Sequence, residues 1–206
     1  ISIMLVGAGL SYKIVGWTLG LLLPAAGIFL FLVAQEGQTI LSSYQGRRIL
    51  AWLHPDDYPS DAYQQQNSIM AVGSGQLFGK GLNNDAANSV KNGNYISEPQ
   101  TDFIFAVTGE ELGFIGSALI VLLLLVIVIE CLKTARRAKD VSGQLICTGM
   151  AALIGMQSFV NISVVTGLMP NTGLPLPFVS YGLTSLVTLY FGIGFVLNVG
   201  LQSRSR

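Results

Sequence analysis

The stretch EPQTDFIFAVTGEELGFIG begins polar at Glu98 and ends at Gly116 inside a hydrophobic run, and its charges are all acidic: Glu98, Asp102, Glu110 and Glu111. A carboxylate at membrane depth costs roughly 2.5–3.5 kcal/mol near the bilayer centre and less toward the interface. Glu110 and Glu111 therefore need something polar opposite them: a water-filled cavity, a basic partner or a substrate. Lys80 or an arginine is the natural counter-charge. Lys80 stands among Gly73, Gly75, Gly79 and Gly81 in YQQQNSIMAVGSGQLFGKGL, and a glycine-rich turn beside a lysine can bring backbone N–H groups up to a phosphate. It is not a Walker A loop, because Ser74 stands where that motif needs a glycine and Gly81 follows Lys80 in place of Ser or Thr. A helix stop with a flexible turn explains the same glycines without any ligand. Arg47 and Arg48 are expected at headgroup depth, where they either snorkel to lipid phosphates or contact a substrate.

These residues hang on a chain built for a bilayer. Of its 206 residues, 51% are hydrophobic and 11% charged, with a mean hydropathy of +0.59, whereas a soluble domain carries about 25% charge. The composition predicts an all-α, polytopic membrane bundle. Crossing the hydrocarbon takes about 20 apolar residues in a helix, and spans are expected at 14–34, 103–132, 145–168 and 183–201. Ile1–Leu10 reads as the tail of an earlier span. Since the chain opens at Ile1 inside an apolar stretch, it is expected to be the C-terminal part of a longer protein. A net charge of zero argues against nucleic acid as a partner. Cys131 and Cys147 lie in or beside apolar runs without ligand spacing, which predicts packing roles.

Orientation follows from the basic residues. A four-span topology puts Lys13, Lys133, Arg136, Arg137, Lys139, Arg204 and Arg206 on one side, which the positive-inside rule makes cytoplasmic. The other side receives residues 35–102 and the shorter Met169–Gly182. The longer segment far exceeds an ordinary connection, and Tyr44, Trp52, Tyr58, Tyr63, Leu77 and Phe78 give it apolar anchors. Ile49–Leu53 reads as a short interfacial helix stopped by Pro55, and Thr101 or Asp102 as the N-cap of a helix from Phe103. NISVVTGLMPNTGLPLPFVSYG holds prolines and glycines that cannot sit in lipid-exposed helix. It predicts a broken or re-entrant element facing the protein interior, with Asn161, Ser180 and Tyr181 supplying hydrogen bonds.

In this order and spacing, the three quoted motifs resemble the SEDS family (RodA, FtsW and SpoVE), and the resemblance covers nearly the whole chain. It implies a peptidoglycan glycosyltransferase that polymerises lipid II into a nascent glycan strand at the external face of the bacterial cytoplasmic membrane, releasing undecaprenyl pyrophosphate. It implies further that Asp102, in its TDF context, is essential and acts as a general base on the acceptor sugar's 4-hydroxyl. The departing pyrophosphate needs positive charge or N–H donors. Lys80 with Gly79 and Gly81 is expected to supply them, helped by Arg47 or Arg48, or else a divalent cation (Mg or Mn) held by Asp102. Glu110, Glu111 and Ser180 are expected to line the substrate cavity. Implied partners are membrane lipids and a class B penicillin-binding protein, the transpeptidase. Two departures stand out: Gln100 where the family often has His, and Leu183 where it has the second glycine of SYGG, a change expected to alter local packing. The preceding helices would contribute to the cavity, so this chain alone is expected to be inactive. A lipid II flippase and a non-catalytic scaffold for the transpeptidase are rival readings. The acids cluster at the external edge of the spans, which favours the polymerase over the flippase.

Overall fold

A computed structural model of the chain describes Pro24, residues 44–82 and residues 100–204. Glu98, the stub at Ile1–Leu10 and, apart from Pro24, the expected span at 14–34 lie outside the described residues. Among the described residues every regular element is a helix: α1 Tyr44–Leu53, α2 Pro59–Ser74, α3 Ile104–Arg137, α4 Val141–Val165 and α5 Leu183–Arg204. The last three are each long and apolar enough to cross a membrane. Their ends depart from the expected bounds. Helix α3 runs past 132 to Arg137, since basic side chains tolerate solvated turns beyond the hydrocarbon. Helix α4 lies at 141–165 instead of 145–168 because Gly167, at φ 81°, ends it. The Gly167 N–H donates to Val164 O and the Leu168 N–H to Ser163 O, which is the Schellman pattern of a helix closed by a left-handed glycine.

The chain forms two compact units. One includes residues 123–156 and 183–204, and its core is Cys131, Ala135, Cys147, Ala151 and Val196, flanked by Ile127, Val128, Met150, Ile193 and Val199. Small residues let membrane helices approach closely, and both cysteines are buried free thiols in that packing role.

The other unit includes residues 44–82, 100–122 and 157–182. The last carbonyls of a helix have no intrahelical donors, and here α2 donates to the end of α4 while α1 and α2 donate to the turn just beyond it. Trp52 Nε1 donates to Gly167 O at 2.8 Å, Gln65 Nε2 to Val164 O at 2.8 Å and Met169 O at 2.7 Å, and Ser68 Oγ to Val165 O at 3.1 Å. Gln65 and Ser68 are buried. Their polarity, unexpected in a packed helix face, is spent on these caps.

A second set of backbone bonds mends a break in α3. Gly113 stands at φ 66°, ψ −164°, so Phe114 and Ile115 no longer donate to the carbonyls of Glu110 and Glu111 as a regular helix requires. Residues 76–81 fill the gap. Phe114 N–H donates to Gln76 O at 2.8 Å and Ile115 N–H to Leu77 O at 3.2 Å, while Lys80 N–H donates to Glu110 O at 2.9 Å and Gly81 N–H to Glu111 O at 3.0 Å. The two backbones approach so closely that a Cβ on Gly79 would collide with Glu111 O, and one on Gly113 with Gly79 N and Leu77 O. Gly113→Ala is therefore expected to destabilise the purified protein by about 2–4 kcal/mol, combining strain with collision. Gly73→Ala, in α2 with nothing within 4 Å of the new Cβ, should instead gain up to about 1 kcal/mol. Thermal unfolding midpoints in detergent distinguish the two.

Candidate functional site

Asp102 lies in a turn over residues 100–103 that is held from the loop after α4. The Tyr181 N–H donates to Gln100 O at 2.9 Å. Asn161 Nδ2 donates both to Asp102 O at 2.8 Å and to Leu174 O at 2.6 Å, from a residue only 1% exposed. With the Asp102 carbonyl engaged in this way, α3 opens at Ile104, and Phe103 O accepts the Val107 N–H at 3.4 Å. The N-cap position therefore falls to Phe103, correcting the expectation of Thr101 or Asp102.

The Asp102 carboxylate and the Arg48 guanidinium both approach Gly173. A Cβ built on Gly173 would lie 3.5 Å from Asp102 Oδ2 and 3.6 Å from Arg48 Nη1. Gly173 has no such atom and sits at φ 70°, so the two charged groups converge over bare backbone. Arg48 Nη1 also donates to Asn171 O at 3.2 Å, and Asn171 Oδ1 accepts the Gly173 N–H at 3.1 Å. Acid, guanidinium and loop form one arrangement, suited to proton removal beside a cation that can meet anionic oxygens.

The remaining expected residues are placed elsewhere. Arg47 reaches Asp61, Nε to Oδ2 3.4 Å, as an exposed surface pair. Lys80 Nζ lies 2.9 Å from Glu110 Oε1, and the Glu110 side chain is 2% exposed, so the buried acid has the counter-charge that its position demands. Glu110 is two helical turns beyond Asp102, roughly 12 Å along the axis. The phosphate cradle expected of Gly79 and Gly81 is corrected by the same geometry. The Gly79 N–H donates to Gly75 O within its own turn and the Gly81 N–H to Glu111 O of the mended helix, so both donors are already engaged. Glu111, half-buried, takes part through that carbonyl. Ser180, expected to contact substrate, is buried with Oγ accepting the Leu176 N–H at 2.7 Å, closing the turn that carries Pro177. Asn161 and Ser180 do bond the broken element as the prolines required, joined by Gln157 Nε2 donating to Pro175 O at 2.9 Å. Gln100 is exposed, and Leu183 is 80% exposed at the start of α5. Among the described residues no three His, Cys, Asp or Glu side chains cluster around a common point. The neighbour of Asp102 across Gly173 is the Arg48 guanidinium, a cation that does not fit a Mg or Mn ion held at this carboxylate.

Sequence reasoning missed Gly173, Asn171 and the tie between Asn161 and Asp102. The available signal was a lone asparagine in an apolar helix followed by an Asn-Thr-Gly turn, though neither says which carbonyl or carboxylate it meets.

Comparison with known proteins gives the same direction. Residues 1–205 match the FtsW/RodA/SpoVE family model, described as a cell cycle protein. The chain is 42% identical over 160 residues to the "Probable peptidoglycan glycosyltransferase FtsW" of Geobacter sulfurreducens (strain DL-1 / KN400), covering 77% of this chain and 42% of that one. It is 42% identical over 181 residues to stage V sporulation protein E of Bacillus subtilis (strain 168), covering 86% and 48%. A chain from a solved peptidoglycan synthase complex that coordinates polymerization and crosslinking superposes with a TM-score of 0.66 at 27% identity, over 99% of this chain and 53% of that one. The chain thus spans about half the length of the relatives it matches. Its motifs, its membrane helices and a family match running almost end to end agree: this chain belongs to the FtsW/RodA/SpoVE family.

Proposed function

We propose that this chain supplies the reacting carboxylate and the leaving-group cation of a peptidoglycan glycosyltransferase. The enzyme would polymerise lipid II into glycan strands at the outer face of the bacterial cytoplasmic membrane. The convergence of Asp102 Oδ2 and Arg48 Nη1 over Gly173 carries this reading. Asp102 takes the proton from the acceptor's 4-hydroxyl as that oxygen bonds to the donor's anomeric carbon. The bond from that carbon to the pyrophosphate oxygen breaks with inversion, and undecaprenyl pyrophosphate leaves with the electron pair. Arg48 takes the role first offered to Lys80, since a guanidinium can meet two phosphate oxygens at once. Lys80, Glu110, Gly79 and Gly81 hold the scaffold.

The names of the relatives support this activity. The solved neighbour's complex, which joins polymerization to crosslinking, supports a transpeptidase partner of the class B penicillin-binding type. The basic residues Lys133, Arg136, Arg137 and Lys139, at and after the end of α3 away from Asp102, support an external active site. Helix α4 carries no charged residue, and α5 carries none before Arg204, which disfavours a flippase needing charges through the bilayer depth.

Lipid II polymerisation by the full-length protein with its partner transpeptidase tests the base. Asp102→Asn should lower the rate by roughly 10²–10⁴-fold, the usual worth of general-base help, and undiminished synthesis by a stably folded variant would remove Asp102 from the mechanism. The cation assignment has its own test. Arg48→Met is expected to cut the rate at least tenfold with little change in thermal midpoint. Lys80→Met should instead cost about 3 kcal/mol of stability, the low end for a buried pair because Lys80 is partly exposed, by leaving the Glu110 carboxylate buried without its ammonium. The opposite pattern would return the pyrophosphate contact to Lys80.

A further inference from the structure

Three exposed apolar side chains crown the segment that mends α3: Leu77 at 59% exposure, Phe78 at 80% and Leu82 at 72%. The bonds of Gln76 and Leu77 to Phe114 and Ile115 hold this segment level with the first turn of α3 beyond the break. Phe114 and Ile115 are themselves 67% and 54% exposed, so the loop residues continue the apolar surface of a membrane-crossing helix.

The length of α3 sets the depth of that surface. At its basic end, Glu130 and Lys133 pair at 2.6 Å, and from Phe114 to Ile129 the helix carries no charge. The stretch from Gly113 to that pair is roughly 17–20 residues and rises about 25–30 Å, which matches the hydrocarbon thickness of about 30 Å. Gly113 therefore marks the hydrocarbon boundary at the far end of the helix. Glu110 and Glu111 fall just outside it. The loop meets the helix at the boundary itself, and Lys80, between Phe78 and Leu82, brings its charge there paired to Glu110.

We propose that residues 76–82 dip into the lipid leaflet opposite the basic end of α3, with Leu77, Phe78 and Leu82 among the acyl chains. The occupant of this surface is bulk phospholipid. Continuity with the exposed apolar surface of α3 argues for it, as do the depth and the pairing of the one charge in the loop. Under the orientation proposed above this is the outer leaflet. The insertion would fix the height of Asp102 and Arg48 over the surface from which a polyprenyl-linked donor presents its pyrophosphate.

Photocrosslinking reads this directly. p-Benzoylphenylalanine replaces Phe78 in the full-length protein reconstituted into phosphatidylglycerol–phosphatidylethanolamine vesicles without substrate, and Gln66, exposed on α2, serves as the control position. After irradiation, mass spectrometry is expected to find phospholipid adducts at position 78 at least tenfold above those at 66. Adducts to a polypeptide or to a polyprenyl chain alone would overturn the proposal, as would lipid adducts no more frequent than at the control. If the Phe78 variant does not fold, the same measurement at Leu82 decides under the same criteria.

Discussion

Two hydrogen bonds are missing from α3 where Gly113 breaks it, and four bonds to residues 76–81 stand in for them. In a membrane an unpaired backbone group costs several kcal/mol because lipid offers no donor or acceptor, so the break exists only with its inserted partner. The consequences run outward from this splice. It couples the end of the α2 segment to α3 across some thirty residues of chain. It seats the Lys80 ammonium on the Glu110 carboxylate, turning an isolated acid at a helix entry into a buried pair. It also separates the piece of α3 that follows Asp102 from the piece that crosses the membrane.

The other end of the site unit rests on the same economy of backbone groups. At the C-terminus of α4, Val164 O and Val165 O accept from Gln65 and Ser68, and Gly167 O just beyond it accepts from Trp52. This fixes the start of the loop 166–182. Further along, Asn161 clamps Leu174 O and Asp102 O with one amide nitrogen, and Arg48 holds Asn171 O. The loop that looks irregular in sequence is thus bonded at several points. Gly173, in its middle, presents flat backbone beneath a carboxylate and a guanidinium. The bonds to Asn171 O, Leu174 O and Asp102 O fix the backbone around Gly173 beneath the two charged groups.

Much of this was legible from residue types. The three described spans followed from apolar length, and the broken loop from Pro170, Pro175 and Pro177 together with its glycines. A carboxylate beside hydrocarbon demanded a cation, and Lys80 met Glu110. The errors share a cause. Gly79 and Gly81 suggest N–H groups open to phosphate, yet the Gly79 N–H closes its own turn on Gly75 O where the backbone passes against α3, and the Gly81 N–H bonds Glu111 O of α3. Ser180 was read as a polar side chain available to substrate, yet its hydroxyl closes a buried turn. Neighbours Arg47 and Arg48 could not be told apart, because successive residues of a helix point in directions about 100° apart and only the packing decides which faces the loop.

The sequence by itself determined the helical membrane class, the family and the singling out of Asp102, because these depend on local composition and on motifs read in order along the chain. Only the tertiary structure decided that Asp102 and Arg48 share the space over Gly173, and why α3 tolerates Gly113. Each of these rests on groups far apart in the chain, Arg48 to Asn171 across 123 residues and Asn161 to Asp102 across 59. Hydrogen-bond partners at such separations are chosen by the geometry of packed helices, and residue type alone does not encode them.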